Sequence, residues 1–251
     1  MRLHRFFIDK NDQNSNFVLS DNKIVISDTE ITNQLLKVFR YSIGQKVIFF
    51  DGSGFDYIYE ITKISSKNID FSFVEKNKNN FEKKELIVIF SIIKKQNSEL
   101  LIQKCTELGA SGFEPIISER TEKKNFDFVR AIKIATESTE QSGRDFVPTI
   151  KPAKQLSDFL EINFSKNKKI KTFVFDIDGK NFTKKDLSQI HNDLSLGQTI
   201  QILIGPEGGW TKKEIDLFKK YNLSIYKINT AILRAETAGI TISALCLFDI
   251  Q

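Results

Sequence analysis

The sequence predicts an α/β protein: a mainly parallel sheet with helices on both faces, preceded by a small β-barrel-like module. Three features carry this expectation. From residue 86 onward, apolar runs of strand length alternate with stretches of helical period, the pattern of a parallel sheet with crossover helices. The first ~73 residues hold only short β-rich runs, separated by turn residues such as Asp51-Gly52-Ser53-Gly54. Between the two lies "EKNKNNFEKKE" (75–85), polar and rich in Lys and Asn, which reads as a solvated linker. The expected organisation is therefore 1–74, 75–85 and 86–251.

In the first region "NFVLS", "KIVIS", "QKVIFFD", "FDYIYEITKI" and "NIDFSFV" are the expected strands. One helix is expected at "TNQLLKVFRY", where Leu35, Leu36 and Phe39 share a face. In the second region "ELIVIFSII" is a strand buried on both faces. The helix "NSELLIQKCTELG" follows, with Asn97 or Ser98 as cap and Gly109 as stop. Next come the strand "FEPIISE", the helix "DFVRAIKIATESTEQSG", the strand "KTFVFDID" and the helix "TKKDLSQIHNDL". The strand "QTIQILIG" leads to a helix after "GPEGGW", the strand "LSIYKIN" and a last helix through "ETAGITISALCLF". That last helix is apolar almost all round and must be covered on every side, by a second subunit or by the core of its own.

A chain of 251 residues buries a core large enough to need no disulfide or metal staple. Cys105 and Cys246 sit in apolar helical segments and read as buried small hydrophobes; His4 and His191 are isolated, so no metal site is expected. "MRLHRFFIDKND" lacks the apolar core of a signal peptide, and no stretch has the length of a membrane span. A cytoplasmic, soluble protein is expected. The net charge is +5, and all of it lies beyond residue 73, which is compatible with a polyanionic partner.

The glycine-rich stretch "ILIGPEGGW" (202–210) lies between a strand's carboxyl end and a helix whose start is marked by Thr211 and Glu214, a capping box. Open α/β sheets bind ligands at such junctions. Gly205, Gly208 and Gly209 allow positive φ and close backbone approach, and Pro206 fixes one φ. The pattern fits neither the P-loop nor the dinucleotide fingerprint, and the Glu207 carboxylate argues against a phosphate. Taken locally, the stretch is either a tight structural turn or a ligand loop. In "INTAILRAETAGI", Arg234 and Glu236 interrupt an apolar run, so they face a cleft or each other. In "TESTEQSGRDFVP", Gln141 and Arg144 bracket a helix end, where Arg144 can simply oppose the helix dipole.

In combination these motifs are far more specific. "IGPEGGWTKKE" (204–214), "ILRAETA" (232–238), "EQSGR" (140–144) and "IQKCTELGASGFEPIISERT" (102–121) closely resemble the RsmE-type small-subunit ribosomal RNA (uracil-N(3)) methyltransferases of the SPOUT superfamily. "RFF" (5–7), "LLKVFRYSIGQKV" (35–47) and "FDGSGFDYIYEI" (50–61, with Phe49 before it) resemble that family's PUA-like barrel. The resemblance covers nearly the whole chain. It implies a C-terminal SPOUT domain with a trefoil-knotted sheet, a homodimer, S-adenosylmethionine as cofactor, and 16S ribosomal RNA in the small subunit as substrate, with no metal.

By position, the resemblance places the cofactor against Phe175 and Asp176; against Ile204, Gly205, Pro206, Glu207, Gly208 and Gly209; and against Ile228, Asn229, Ile232, Leu233, Arg234, Glu236, Thr237 and Ala238. Arg234, Glu207, Arg144 and Arg120 are the candidate catalytic residues. Arg2, Arg5, Lys37, Arg40, Gln141 and Arg144 are candidate RNA contacts. The cofactor's cationic sulfur suits the Glu207 carboxylate. The chain departs from the family pattern at Ile228-Asn229, where Leu-Gly is usual; Asn tolerates left-handed φ, which would preserve the loop. It also lacks the histidine often found near Gln34. The rival readings are another SPOUT RNA methyltransferase and a non-catalytic RNA-binding or ribosome-assembly protein of the same fold.

Overall fold

In the N-terminal region the strand runs find partners on either side. In the computed structural model, which describes residues 3–9, 18, 19, 21–122, 125–164 and 170–248, β1 (Arg5–Phe7), β2 (Lys23–Ile26), β3 (Lys46–Phe50), β4 (Phe55–Ile64) and β5 (Ile69–Lys78) form one sheet in the order β1-β3-β4-β5-β2. Only β1 and β3 run parallel. Alternate residues of the strands, among them Val47, Phe49, Tyr59, Ile61, Ile69 and Phe71, fill its core. Leu35 joins that core from the expected helix, which is short: α1 (Thr29–Asn33) passes into a π-helical turn (Gln34–Val38). "NFVLS" forms no strand at Val18 and Leu19; Asn16, Phe17 and Ser20 lie outside the described residues.

The stretch expected as a linker is not all linker. Cross-strand pairing of Glu75–Lys78 with Phe55–Ile58 carries β5 on through Lys78. The compact unit built on this sheet comprises Met1–Glu82 and also Thr139–Val147. The second piece is tied in by buried and part-buried polar contacts. Arg5 pairs with Asp56 and donates from Nη2 to the Arg144 carbonyl at 2.8 Å; Phe7 N–H donates to Glu140 at 2.9 Å, and Asn79 donates to the Gly143 carbonyl at 3.1 Å.

The second unit comprises Lys83–Ser138 and Pro148–Gln251. Its elements are β6 (Leu86–Ser91), α2 (Lys95–Leu108), β7 (Gly112–Ile117), α3 (Phe128–Ser142, whose last turn belongs to the first unit), β8 (Thr149–Ile150), β9 (Lys154–Gln155) and α4 (Leu156–Phe164). They continue as β10 (Ile170–Asn181), α5 (Lys184–Ser195), β11 (Thr199–Ile204), α6 (Lys212–Lys220), β12 (Ser224–Lys227) and α7 (Ala235–Leu247). The strands form one parallel sheet in the order β12-β10-β11-β6-β7-β8, with β9 also on β7. On one face α4 and α6 close a core of Ile89, Val174, Leu203, Phe159 and Phe218. On the other, α7 packs against α2, α5, β6 and β11. The fold class is the expected one.

Three local expectations change. Helix α2 starts at Lys95 with Lys94 as its cap residue, three or four residues before the expected cap, Asn97 or Ser98. The two-residue strands β8 and β9 carry too short a signal to be expected, and the nine-residue α4 is an addition to the expected elements. Strand β10 leaves and rejoins β12: its pairing breaks after Phe175 and resumes at Lys180. A Cβ on Gly179 would collide with the Tyr226 backbone, so only glycine permits this close approach of the two chain segments.

Candidate active site

Strand β11 delivers a buried apolar run to the edge of the sheet, where the chain must reverse into α6. A four-residue turn does this, closed by Gly209 N–H donating to the Pro206 carbonyl at 2.9 Å. Of the three glycines only Gly209 has positive φ (69°). Gly205 is needed for a different reason: a Cβ there would meet the Trp210 indole at 3.0 Å. Trp210 is fixed, donating from Nε1 to the Phe175 carbonyl at 3.0 Å and packing edge-on against Phe218. The capping box forms as expected: Thr211 N–H donates to Glu214 at 2.8 Å, and Glu214 N–H donates to Thr211 Oγ1 at 3.3 Å.

Strands β12, β10, β11 and β6 are neighbours and all parallel, so their carboxyl ends open on the same edge. In chain order β6 is remote from the other three, which makes its boundary with β11 a point where the connections diverge; open α/β sheets place their ligand crevices there. A cleft of about 760 Å³ lies at this edge. Its walls are the residues where β10 pairing breaks off (Phe175, the last paired, then Asp176 and Ile177), the turn Ile204–Trp210, and the stretch from Tyr226 into the first turns of α7. Every residue expected to hold a cofactor lines it except Thr237, which is exposed and outside the lining.

Six charged residues line the cleft: Lys94, Lys227 and Arg234 against Asp176, Glu207 and Glu236. Glu207 is exposed, and its Oε1 accepts the Lys94 backbone N–H at 3.2 Å. Glu236 is buried in the first turn of α7, its Oε2 without a hydrogen-bond partner among the described residues. Arg234, the residue before α7, is exposed. Among the described residues no ion pair joins Arg234 to Glu236, so they share the cleft and do not neutralise each other.

The other candidates separate. Arg120 is outside the lining and donates from Nη1 to the Gly208 carbonyl at 2.6 Å. Arg144 belongs to the N-terminal unit and is 1% exposed, its guanidinium stacked on Phe81 and Phe146 at 4.1 and 4.5 Å. Burial lowers its pKa to about 10, and Asp145 opposes the shift. Arg5 is also buried, held by Asp56 and stacked on Phe50. Arg5 and Arg144 were expected to touch RNA, but their side chains are enclosed in their own unit. Lys37, Arg40 and Gln141 are exposed, whereas Arg2 lies outside the described residues. Asn229 is not left-handed either: among the described residues positive φ outside glycine is confined to Arg40 and Asn222, so the loop takes its shape without the conformation the usual glycine would allow.

Sequence reasoning missed Lys94, Asn97, Ile177, Tyr226, Lys227 and Ile242 as lining residues. Lys94 and Asn97 follow β6, and the position of β6 beside β11 is a fact of topology that no local pattern announces. Cys105 and Cys246 are buried as expected, and burial pushes both thiols up to about 12. No helix among the described residues is long and apolar enough to cross a membrane.

Comparison with known proteins converges on one family. A model described as an RNA methyltransferase domain matches residues 80–247, and one described as an RNA methyltransferase PUA domain matches residues 28–74. The chain is 27% identical to the ribosomal RNA small subunit methyltransferase E of Rickettsia conorii, over 96% of this chain and 93% of that one. It is 27% identical to the Bacillus subtilis protein of the same name, over 83% and 84%. The fold matches the crystal structure of a ribosomal RNA small subunit methyltransferase E from Neisseria gonorrhoeae bound to S-adenosyl methionine, with a TM-score of 0.81 at 23% identity over 97% and 96% of the chains.

Proposed function

The chain belongs to the RNA methyltransferase-domain family, and from that premise we propose that it transfers the methyl group of S-adenosylmethionine to ring nitrogen 3 of a uridine in 16S ribosomal RNA. The observation that carries this reading is that three motifs distant in sequence line one cleft at the carboxyl ends of parallel strands. The relatives named above as small-subunit ribosomal RNA methyltransferases support the substrate class.

The lining suits the cofactor. Ile204, Ile228, Leu233 and Ile242 give apolar wall for an adenine ring, and Asp176, Glu207 and Glu236 give negative charge for a sulfonium and an ammonium. The buried Glu236 Oε2, unpartnered among the described residues, is the kind of group a cationic ligand satisfies. When bound, S-adenosylmethionine supplies an electrophilic methyl group.

The protein's part is to hold uracil in line and to manage its proton. Ring nitrogen 3 becomes nucleophilic only as its proton leaves, which places negative charge on the flanking carbonyl oxygens. Of the three cations that line the cleft, Arg234, exposed at the start of α7, is the one assigned to stabilise that charge. Of the three carboxylates in the cleft, Glu207 and Glu236 are assigned as the candidate proton acceptors. Alignment within the cleft contributes the rest. The target base must be unstacked to reach it.

RNA binding is assigned to the half-barrel unit, with Lys37 and Arg40 exposed on it and Gln141 exposed on α3. We also infer a homodimer. Ile240, Thr241, Ala244, Leu245 and Phe248 form a mostly apolar, incompletely buried stripe on α7, which a second copy would cover. Titration of the chain with S-adenosylmethionine in a thermal-shift assay tests the reading, because a ligand of the native state must raise Tm as its concentration passes Kd. A rising Tm is expected; no shift at saturating cofactor contradicts the proposal.

A further inference from the structure

We propose that Arg120 is a positioning residue for the glycine turn: it fixes the Gly208 peptide that walls the cleft and does not touch the reacting atoms. The proposal rests on the cleft being the cofactor site.

The geometry places Arg120 behind the turn. Its Nη1 donates to the Gly208 carbonyl at 2.6 Å, while Gly208 itself lines the cleft and Arg120 does not. The aliphatic part of the side chain lies along Gly208, where an added Cβ would meet Arg120 Cδ at 3.3 Å and Cβ at 3.5 Å. The other end of the same peptide is held too, since Gly209 N–H donates to the Pro206 carbonyl. A peptide tethered at both its C=O and its N–H cannot rotate without breaking a bond; the arginine tether is charge-assisted and solvent-exposed, so it is stronger than a neutral bond and weakened by water.

The platform that carries Arg120 is itself stitched in place. Residues 118–121 close on themselves, with Thr121 N–H donating to the Ser118 carbonyl at 3.1 Å. Glu119 N–H donates to Glu214 at 2.8 Å, and Thr211 Oγ1 donates to Glu119 at 2.9 Å. The loop after β7 thus holds the turn and the start of α6 across the intervening strand β6, and the Lys94 N–H holds Glu207 from the loop after β6. An arginine so placed acts on cofactor affinity through the backbone.

The test uses the full chain as wild type, Arg120→Ala and Arg120→Lys. It combines calorimetric titration with S-adenosylmethionine, steady-state methylation of ribosomal RNA, and emission from Trp210, the chain's single Trp, at the end of the turn. For Arg120→Ala the expected result is a rise of about tenfold in cofactor Kd and KM, the scale of one charge-assisted hydrogen bond, with a smaller fall in kcat and altered Trp210 emission. Arg120→Lys, still able to donate, should recover part of the affinity; being the milder change, it keeps the proposal testable if the alanine variant folds poorly. A kcat fall of about 100-fold or more at unchanged Kd would place Arg120 at the reacting atoms and overturn the proposal. So would cofactor binding by Arg120→Ala equal to wild type. If the wild type itself does not bind the cofactor, the parent reading fails and this one with it.

Discussion

Gly205→Ala adds one methyl group at the most crowded point of the cleft wall. The new Cβ would stand 3.0 Å from Trp210 Cε2 and 3.2 Å from Nε1. The indole is held in place: it is 6% exposed, hydrogen-bonded to Phe175 at 3.0 Å, and packed on Phe218 with ring centroids 5.0 Å apart. Overpacking of a tight core costs about 1–3 kcal/mol, and displacing the indole forfeits a hydrogen bond of about 1 kcal/mol. A loss of about 2–3 kcal/mol lowers Tm by roughly 5–10 °C for a domain of this size. Urea unfolding followed by Trp210 emission measures it and reports only the unit that holds the cleft. Cofactor affinity should fall as well, because the same methyl group shifts the turn. Wild-type stability with unchanged Trp210 emission would refute the claim that Gly205 exists to admit the indole.

Other outcomes follow from the same geometry. Thr211→Ala removes both the α6 cap and the hydrogen bond to Glu119 and should destabilise by about 1–2 kcal/mol, with Thr211→Ser near wild type in the same urea titration. Ellman's reagent at about pH 8 should find no reactive thiol in the native chain and both in denaturant, since burial holds Cys105 and Cys246 near 12. The raised native values also mean that between about pH 9 and 12 only the unfolded chain ionises these thiols, so stability should fall with rising pH by up to about 1.4 kcal/mol per unit per thiol. Replacing Lys37 and Arg40 by Ala should weaken RNA binding and reduce its salt dependence by about one unit of slope for each phosphate no longer neutralised; an unchanged slope in filter-binding assays would remove them from the interface.

The alternation of buried strands and amphipathic helices was legible because each of those elements signals locally. The capping box at Thr211 and Glu214, the buried cysteines and the greater part of the cleft lining were readable for the same reason or through the family resemblance of their motifs. What stayed hidden depends on contacts between distant segments. Arg5 and Arg144 look like surface cations in sequence, and only the return of Thr139–Val147 to the first unit encloses them. The adjacency of β6 and β11, which brings Lys94 to Glu207, is likewise topological. Gly205 looked like a residue needed for its backbone freedom and is instead needed for the indole beside it. Segment 75–78 carries a linker's composition, yet pairing with β4 makes it strand.

The central claim is methyl transfer to a uridine of small-subunit ribosomal RNA. Its most direct test is mass mapping of 16S RNA after incubation with the purified chain and isotopically labelled S-adenosylmethionine, beside an Arg234→Ala control of wild-type stability. The account predicts one labelled methyl group on ring nitrogen 3 of a single uridine, absent with the control. A labelled methyl on another atom or base, no label at all, or full activity in Arg234→Ala would contradict it.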